Sequence, residues 1–289
     1  MEQSSYLNGL PDGINIHTSP LLVFMGNAII DNNPTFVPLE GTNVFQGYID
    51  KLTVSRRPKS ACEILEEATL AARFPFDNAT ILVDFEPNAV SANASSYSIL
   101  TNGHSLQAIG FNGSMSYFQT WGFTQFSINN QPFSISLWIQ PQHRSGTLVH
   151  MSTLSTGLDA WCLPFIGLSS NGALAAQISN GTTILSVIAP DFIPLSTPSW
   201  THIVQTWSST NGRNLYVNNI VVDSQSSITT FAASGITPNY VTLANSLLGS
   251  GSFGVGAINS SNSFIGSVDD FRIYSRELSA VDVCALYLG

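Results

Sequence analysis

Short apolar–polar alternations, each closed by a turn signal, run through the chain from about residue 68 onward and constrain its fold more than any other feature. Phe133-Ser-Ile-Ser-Leu-Trp-Ile139 puts Phe133, Ile135, Leu137 and Ile139 on one side and Ser134, Ser136 and Trp138 on the other. That is the period of a half-buried strand. Phe165–Leu168 and Ala173–Ile178 flank Ser-Asn-Gly at 170–172, which reads as a hairpin, and Asn180-Gly181 supplies a further turn. Leu215–Val217 and Ile220–Val222 flank Asn218-Asn219, two residues that tolerate the positive φ of a type I′ turn. His202–Trp207 and Tyr240–Leu243 add strands, and no long helical period interrupts the series. The expected class is all-β: a two-sheet antiparallel jelly-roll sandwich with a short C-terminal helix. That helix opens at Ser279-x-x-Asp282, and Ser60-x-x-Glu63 opens an equivalent one; both have the spacing of a capping box.

Composition narrows the function. Of 289 residues only 9% are charged, with net charge −9, while 39 Ser, 22 Thr and 23 Asn supply the polarity. A nucleic-acid partner is excluded, because a binder of that kind needs a basic footprint. Four of the nine basic residues crowd into Lys51–Lys59. An apolar share of 44% is enough for a core and argues against charge-driven disorder. No run approaches the 18 or so apolar residues of a membrane-spanning helix.

An internal repeat organises the chain. FQGYIDKLTVSRRPKSA (45–61) matches FIGSVDDFRIYSRELSA (264–280) at a constant offset, pairing Gly47 with Gly266, Asp50 with Asp269 and Arg57 with Arg276. Residues 1–67 therefore read as the C-terminal remnant of a preceding unit plus linker, and 68–289 as one complete unit. The expectation is a chain cut from a longer tandem array of like units, with 1–60 poorly ordered or packed on the complete unit because its strands lack partners. The N-terminus has no signal-peptide pattern, which a truncated chain need not keep. Sequons stand at Asn78, Asn93, Asn112, Asn180 and Asn259. They point to an extracellular, secreted or cell-surface setting, although a chain this rich in Ser, Thr and Asn also generates sequons by chance.

Cysteines number three. Cys62 and Cys284 lie in the matched terminal helices, and Cys162 belongs to the complete unit alone. The repeat favours a Cys162–Cys284 disulfide, with Cys62 having lost its partner; three reduced thiols are the alternative.

The ordered segments ATLAARFPFD (68–77), LQAIGFNGSMSYFQ (106–119), PFSISLWIQP (132–141), WTHIVQTW (200–207), LYVNNIVV (215–222) and FIGSVDDFRIYSRELSAVDV (264–283) together resemble a laminin-G-like domain of the concanavalin A-like lectin/glucanase jelly-roll superfamily. The resemblance implies two face-to-face sheets whose concave face and rim loops bind glycans or extracellular proteins in some members. It also implies neighbouring laminin-G-like units as partners. In such jelly rolls a structural Ca²⁺ often joins first strand to last, and Asp77 and Asp269 occupy those places. The competing reading is a pair of carboxylates that accept backbone N–H groups.

Catalysis is not expected. Glycoside hydrolysis needs two facing carboxylates, and only Glu86 and Glu277 of seven Glu lie in the complete unit. Asp269 and Asp270 are adjacent and would point to opposite faces of a strand, and no Gly-x-Ser-x-Gly elbow occurs. His143, His150 and His202 show no evident partner. Trp138 and Trp161 are the ligand-stacking candidates, set against the alternative that other parts of the fold cover them. The functional expectation is a non-catalytic binding or adhesion module. The alternatives are a calcium-dependent lectin or a carbohydrate-binding accessory module of a larger enzyme.

Overall fold

The computed structural model describes residues 2–7, 10–16, 57–77, 81–85, 88–158, 161–195, 199–249, 251, 256–259 and 261–289, the first two stretches as backbone only. The chain divides into two compact units, Met1–Ala68 and Thr69–Gly289. In the first, β1 (Glu2–Leu7) pairs antiparallel with β2 (Leu10–Ile16). The expectation of exposed strands over 18–56 lies outside the described residues. Helix α1 (Ala61–Thr69) opens on its capping box: Glu63 N–H donates to Ser60 Oγ, and Ser60 N–H donates to the Glu63 carboxylate at 2.8 Å.

The second unit is a sandwich of two antiparallel sheets. Its strands are β3 (Leu70–Phe74), β4 (Ser91–Ser95), β5 (Tyr97–Leu100), β6 (Ala108–Phe111), β7 (Tyr117–Phe123), β8 (Phe133–Pro141), β9 (Gly146–Ser152), β10 (Cys162–Leu168), β11 (Leu174–Ser179), β12 (Ile184–Ile188), β13 (Thr201–Ser208), β14 (Gly212–Val217), β15 (Ile220–Gln225), β16 (Asn239–Leu243) and β17 (Gly266–Tyr274). A seven-stranded sheet runs β12-β11-β10-β9-β16-β7-β4. An eight-stranded sheet runs β15-β14-β13-β8-β17-β6-β5, and β3 joins it beside β17. This is the all-β sandwich that the alternation dictates.

Local chemistry sets the hairpins. Asn218 and Asn219 both take positive φ, 48° and 65°, and turn β14 into β15. The 170–172 turn joins β10 to β11, with Gly172 at φ 87°. Between the sheets Phe133, Ile135, Leu137 and Ile139 are fully buried with Phe126, Phe165, Trp207 and Phe231. Most of these rings meet edge-on or tilted, as Phe126–Phe133 does at 5.3 Å between centroids, while Phe133 and Trp207 stack at 6.1 Å, geometries that ring quadrupoles favour. Each such side chain contributes roughly 1.5–3 kcal/mol.

One expectation fails at β8. The strand is buried on both sides, not on one, along nearly all its length. Its polar side is covered by α2 (Ala280–Leu288) and the turn before it, which bring Val283 and Leu278 against Val204, Tyr216 and Tyr274 of the eight-stranded sheet. Ser279 caps this helix, accepting from Asp282 N–H at 3.2 Å while Asp282 accepts from Ser279 N–H at 2.8 Å.

Candidate functional site

The two sequence-derived stacking residues are covered. Trp138 is 6% exposed; its ring stacks on His104 at 3.4 Å and on Tyr287 of α2 at 5.6 Å, and His202 lies at 4.8 Å. Trp161 is 7% exposed, packs against Phe165 and Phe231, and donates from Nε1 to Ala232 O at 3.2 Å. Neither offers a ring face to a sugar. In both cases a distant segment supplies the cover, which strand alternation does not report.

The Cys162–Cys284 disulfide is likewise corrected, since no disulfide joins these cysteines. Leu163 and Phe165 point into the core, so Cys162 points outward from the seven-stranded sheet. Cys284 rides on α2 over the outer side of the other sheet. Two packed sheets stand about 10 Å apart, and a disulfide needs Cα atoms within about 7 Å.

The acidic pair does come together. Asp77 Oδ1 accepts from Gln107 N–H at 3.0 Å, and Asp269 Oδ2 accepts from Ser105 N–H at 2.9 Å, so one loop, 103–107, closes over both. Burial pushes the Asp269 carboxyl up to about 7; its bonds from Ser105 and Asp270 N–H oppose this, and the charges of Asp270 and Asp77 add to it. Asp270 does not simply face the other way. It sits at φ 43° in a bulge of β17 and accepts from Arg73 and Arg272. Among the described residues no three His, Cys, Asp or Glu converge. A cation at this corner would therefore draw on the two carboxylates and on backbone carbonyls, which is the hard-oxygen donor set of Ca²⁺.

The histidines do have partners. His202 Nε2 lies 2.9 Å from Ser136 Oγ, and His150 Nε2 lies 3.3 Å from Gly157 O. Burial drives both down to about 4; the nearby Arg272 charge adds to this at His202. His143 is exposed. Of the sequons, Asn78 lies outside the described residues. Asn93 and Asn112 are exposed, and Asn180 and Asn259 are half-buried.

What the sequence reading missed is the outer face of the seven-stranded sheet. Phe118 of β7 points inward, so Tyr117, Gln119 and Trp121 point outward, and an irregularity at Gly122, φ 118°, turns Phe123 back into the core. Register then builds two cross-strand rows. Ser91, Trp121, Tyr240 and Ser152 form one; Asn93, Gln119, Thr242 and His150 form the other. Trp121 and Tyr240 are half-buried neighbours with ring centroids 5.9 Å apart. Loop 153–158 roofs the second row: Gln119 Nε2 donates to Ser155 O at 3.0 Å and to Thr242 Oγ1 at 2.9 Å. The legible signal was the YFQTW alternation, with Tyr and Trp on the same side as Gln.

A family model, Laminin_G_3 of the concanavalin A-like lectin/glucanases superfamily, matches residues 112–284, more than half of the chain. The chain belongs to this family. This Laminin_G_3 protein found no match among curated proteins. Among solved structures it resembles domain 4 of AbnA, a GH43 extracellular arabinanase from Geobacillus stearothermophilus, in complex with arabinotriose; TM-score is 0.50 and identity 18%, over 75% of this chain and 98% of that one. It also resembles the binding domain of Paraclostridial Mosquitocidal Protein 1, with TM-score 0.54 and identity 20% over 76% of this chain and 52% of the other. The receptor-binding domain of botulinum neurotoxin C/D mosaic serotype aligns with TM-score 0.53 and identity 15%, over 77% and 52%. The Laminin_G_3 chain thus spans nearly all of the first structure and about half of the toxin chains. At these identities the likeness establishes the fold.

Proposed function

We propose that the Thr69–Gly289 unit is a non-catalytic, extracellular carbohydrate-binding module that receives glycans on the outer face of its seven-stranded sheet. The observation that carries this reading is the Trp121–Tyr240 pair, two half-buried rings in register on an otherwise polar face. Ring faces meet sugar C–H groups while the flanking, exposed Ser91 and Asn93 offer hydrogen bonds to hydroxyls. Arabinotriose and gangliosides, named for two structurally similar domains, are natural first probes. A glycan array followed by calorimetry tests the reading. Trp121→Ala should weaken binding at least tenfold with an unchanged melting temperature; wild-type affinity in that variant would sink the idea.

The same reading places a structural Ca²⁺ at Asp77 and Asp269, supported by the buried Asp269 carboxyl held beside two other acids. There the ion would neutralise charge and pin loop 103–107, without chemistry on a ligand. Melting with and without EDTA checks it, and an identical melting temperature refutes the calcium.

A further inference from the structure

At the rim of the seven-stranded sheet, three loops meet around a hollow of about 420 Å³ lined by Ser114, Tyr117, Ser155, Thr156, Asn245, Leu247 and Leu248. We infer that this hollow is a second sugar subsite for an uncharged, hydroxyl-rich sugar unit, and that it and the Trp121–Tyr240 pair hold one extended neutral oligosaccharide. The inference rests on the sheet-face reading above and names its ligand class.

The frame is built in advance. Asn245 Nδ2 donates to Ser114 O at 2.7 Å and Ser116 O at 3.3 Å, and its Oδ1 accepts from Leu247 N–H at 2.7 Å. Leu248 N–H donates to Thr156 O at 3.1 Å. Loops 112–116, 153–158 and 245–249 are thus tied to one another by main-chain atoms and one buried amide. Ala244 and Leu247 hold left-handed conformations, φ 67° and 52°, which non-glycine residues keep only when their surroundings impose them. A site fixed in this way loses little entropy on binding.

The lining chemistry is equally specific. Among the described residues nothing bonds the side-chain hydroxyls of Ser114, Tyr117, Ser155 or Thr156, so four hydroxyl groups remain for a ligand at a hollow whose other walls are Leu247 and Leu248. None of the lining residues carries a charge. A carboxylate or phosphate on the ligand would find no cation to pair with, and the chain's net charge of −9 would repel it. Neutral hydroxyls against hydroxyls, with C–H faces against leucines, is the remaining match.

The hollow and the aromatic pair share a strand. Tyr117 and Trp121 project from the same face of β7, four residues or roughly 13 Å apart. The Ser155 carbonyl caps Gln119 between them. The open route therefore runs along β4, past exposed Ser91 and Asn93 and half-buried Ser95. A span of that length suits several linked sugars better than one.

The test is a glycan array carrying neutral and sialylated glycans of one to five units, read with the full chain as wild type, as Ser155→Ala/Thr156→Val and as Trp121→Ala. The two pocket hydroxyls are exposed and Ser155 uses its carbonyl, not its side chain, so melting temperature should not move. Expected is binding to neutral oligosaccharides, weakened at least tenfold by either variant. Wild-type binding in Ser155→Ala/Thr156→Val with loss in Trp121→Ala would overturn the rim subsite and leave the sheet-face reading standing. Binding confined to sialylated glycans would overturn the neutral class. Binding to nothing would remove the sheet-face reading and this inference with it.

Discussion

The two outer faces of the sandwich start from similar material and end differently. On the eight-stranded sheet, Trp138 sits among Ser134, Ser136 and His202, and it disappears under α2 and His104. On the seven-stranded sheet, Trp121 sits among Ser91, Gln119 and Tyr240 and stays half-exposed. An aromatic among polar neighbours is the same pattern in both. What separates a structural tryptophan from a binding one is the segment that returns to cover it, and for Trp138 that segment lies some 150 residues downstream.

The largest effect that can break this contrast comes from truncating both rings. Trp138→Ala removes a buried ring together with its contacts to His104, His202 and Tyr287. It should cost about 3–5 kcal/mol of stability. Trp121→Ala should leave stability unchanged but weaken glycan binding at least tenfold. Denaturant melts of the two variants beside calorimetry decide it. Equal stability losses would erase the distinction between the faces.

How far the sequence could be read follows from the same contrast. Alternation and turn chemistry are local, so β8, the 170–172 hairpin and the Asn218-Asn219 turn were legible, as was the Ser279 cap. The Asp77–Asp269 approach was legible only through family resemblance, because it joins strands some 190 residues apart. Trp121 and Tyr240 were legible singly as outward residues, but their pairing depends on β16 inserting between β9 and β7, a crossover that no local pattern encodes. The proposed disulfide failed for the complementary reason: the repeat aligned cysteines along the chain without saying on which side of the sandwich each would stand.

Acid should stress both faces at once, by a smaller amount. His150 lies under loop 153–158 and His202 under α2, each held neutral with its ring pushed down to about 4. Between pH 6.5 and 4 the unfolded chain takes up two protons that the folded chain refuses, so stability falls as pH falls through that window. Without calcium, Asp269 works in the opposite direction. Its carboxyl is raised to about 7, so the folded chain holds a proton that the unfolded chain releases, and this contribution is lost as pH rises from about 4 to 7. With two histidines against one aspartate the expected net result is a melting temperature that drops on acidification. His150→Gln and His202→Gln should each flatten the drop, and a pH-independent melting temperature in the wild type would contradict the burial of both rings.

The smallest predicted effect probes the cover itself. Ser279 accepts from Asp282 N–H and donates its own N–H and Oγ–H to the Asp282 carboxylate, which is in turn bonded by Arg276. Ser279→Ala leaves the apolar contacts of Val283 and Leu278 in place and removes only the cap, at about 1 kcal/mol. That is a modest share of global stability, but it falls on a nine-residue helix whose C-terminal end carries Tyr287. Helix opening should therefore become several-fold more frequent, exposing Trp138 and leaving Trp121 as it was. Acrylamide quenching of tryptophan fluorescence should rise in Ser279→Ala, and the increase should vanish when Trp138 is replaced by Phe. If the extra quenching survives that replacement, then α2 is not what separates the two faces, and the seal over the eight-stranded sheet must be carried by His104 and its loop.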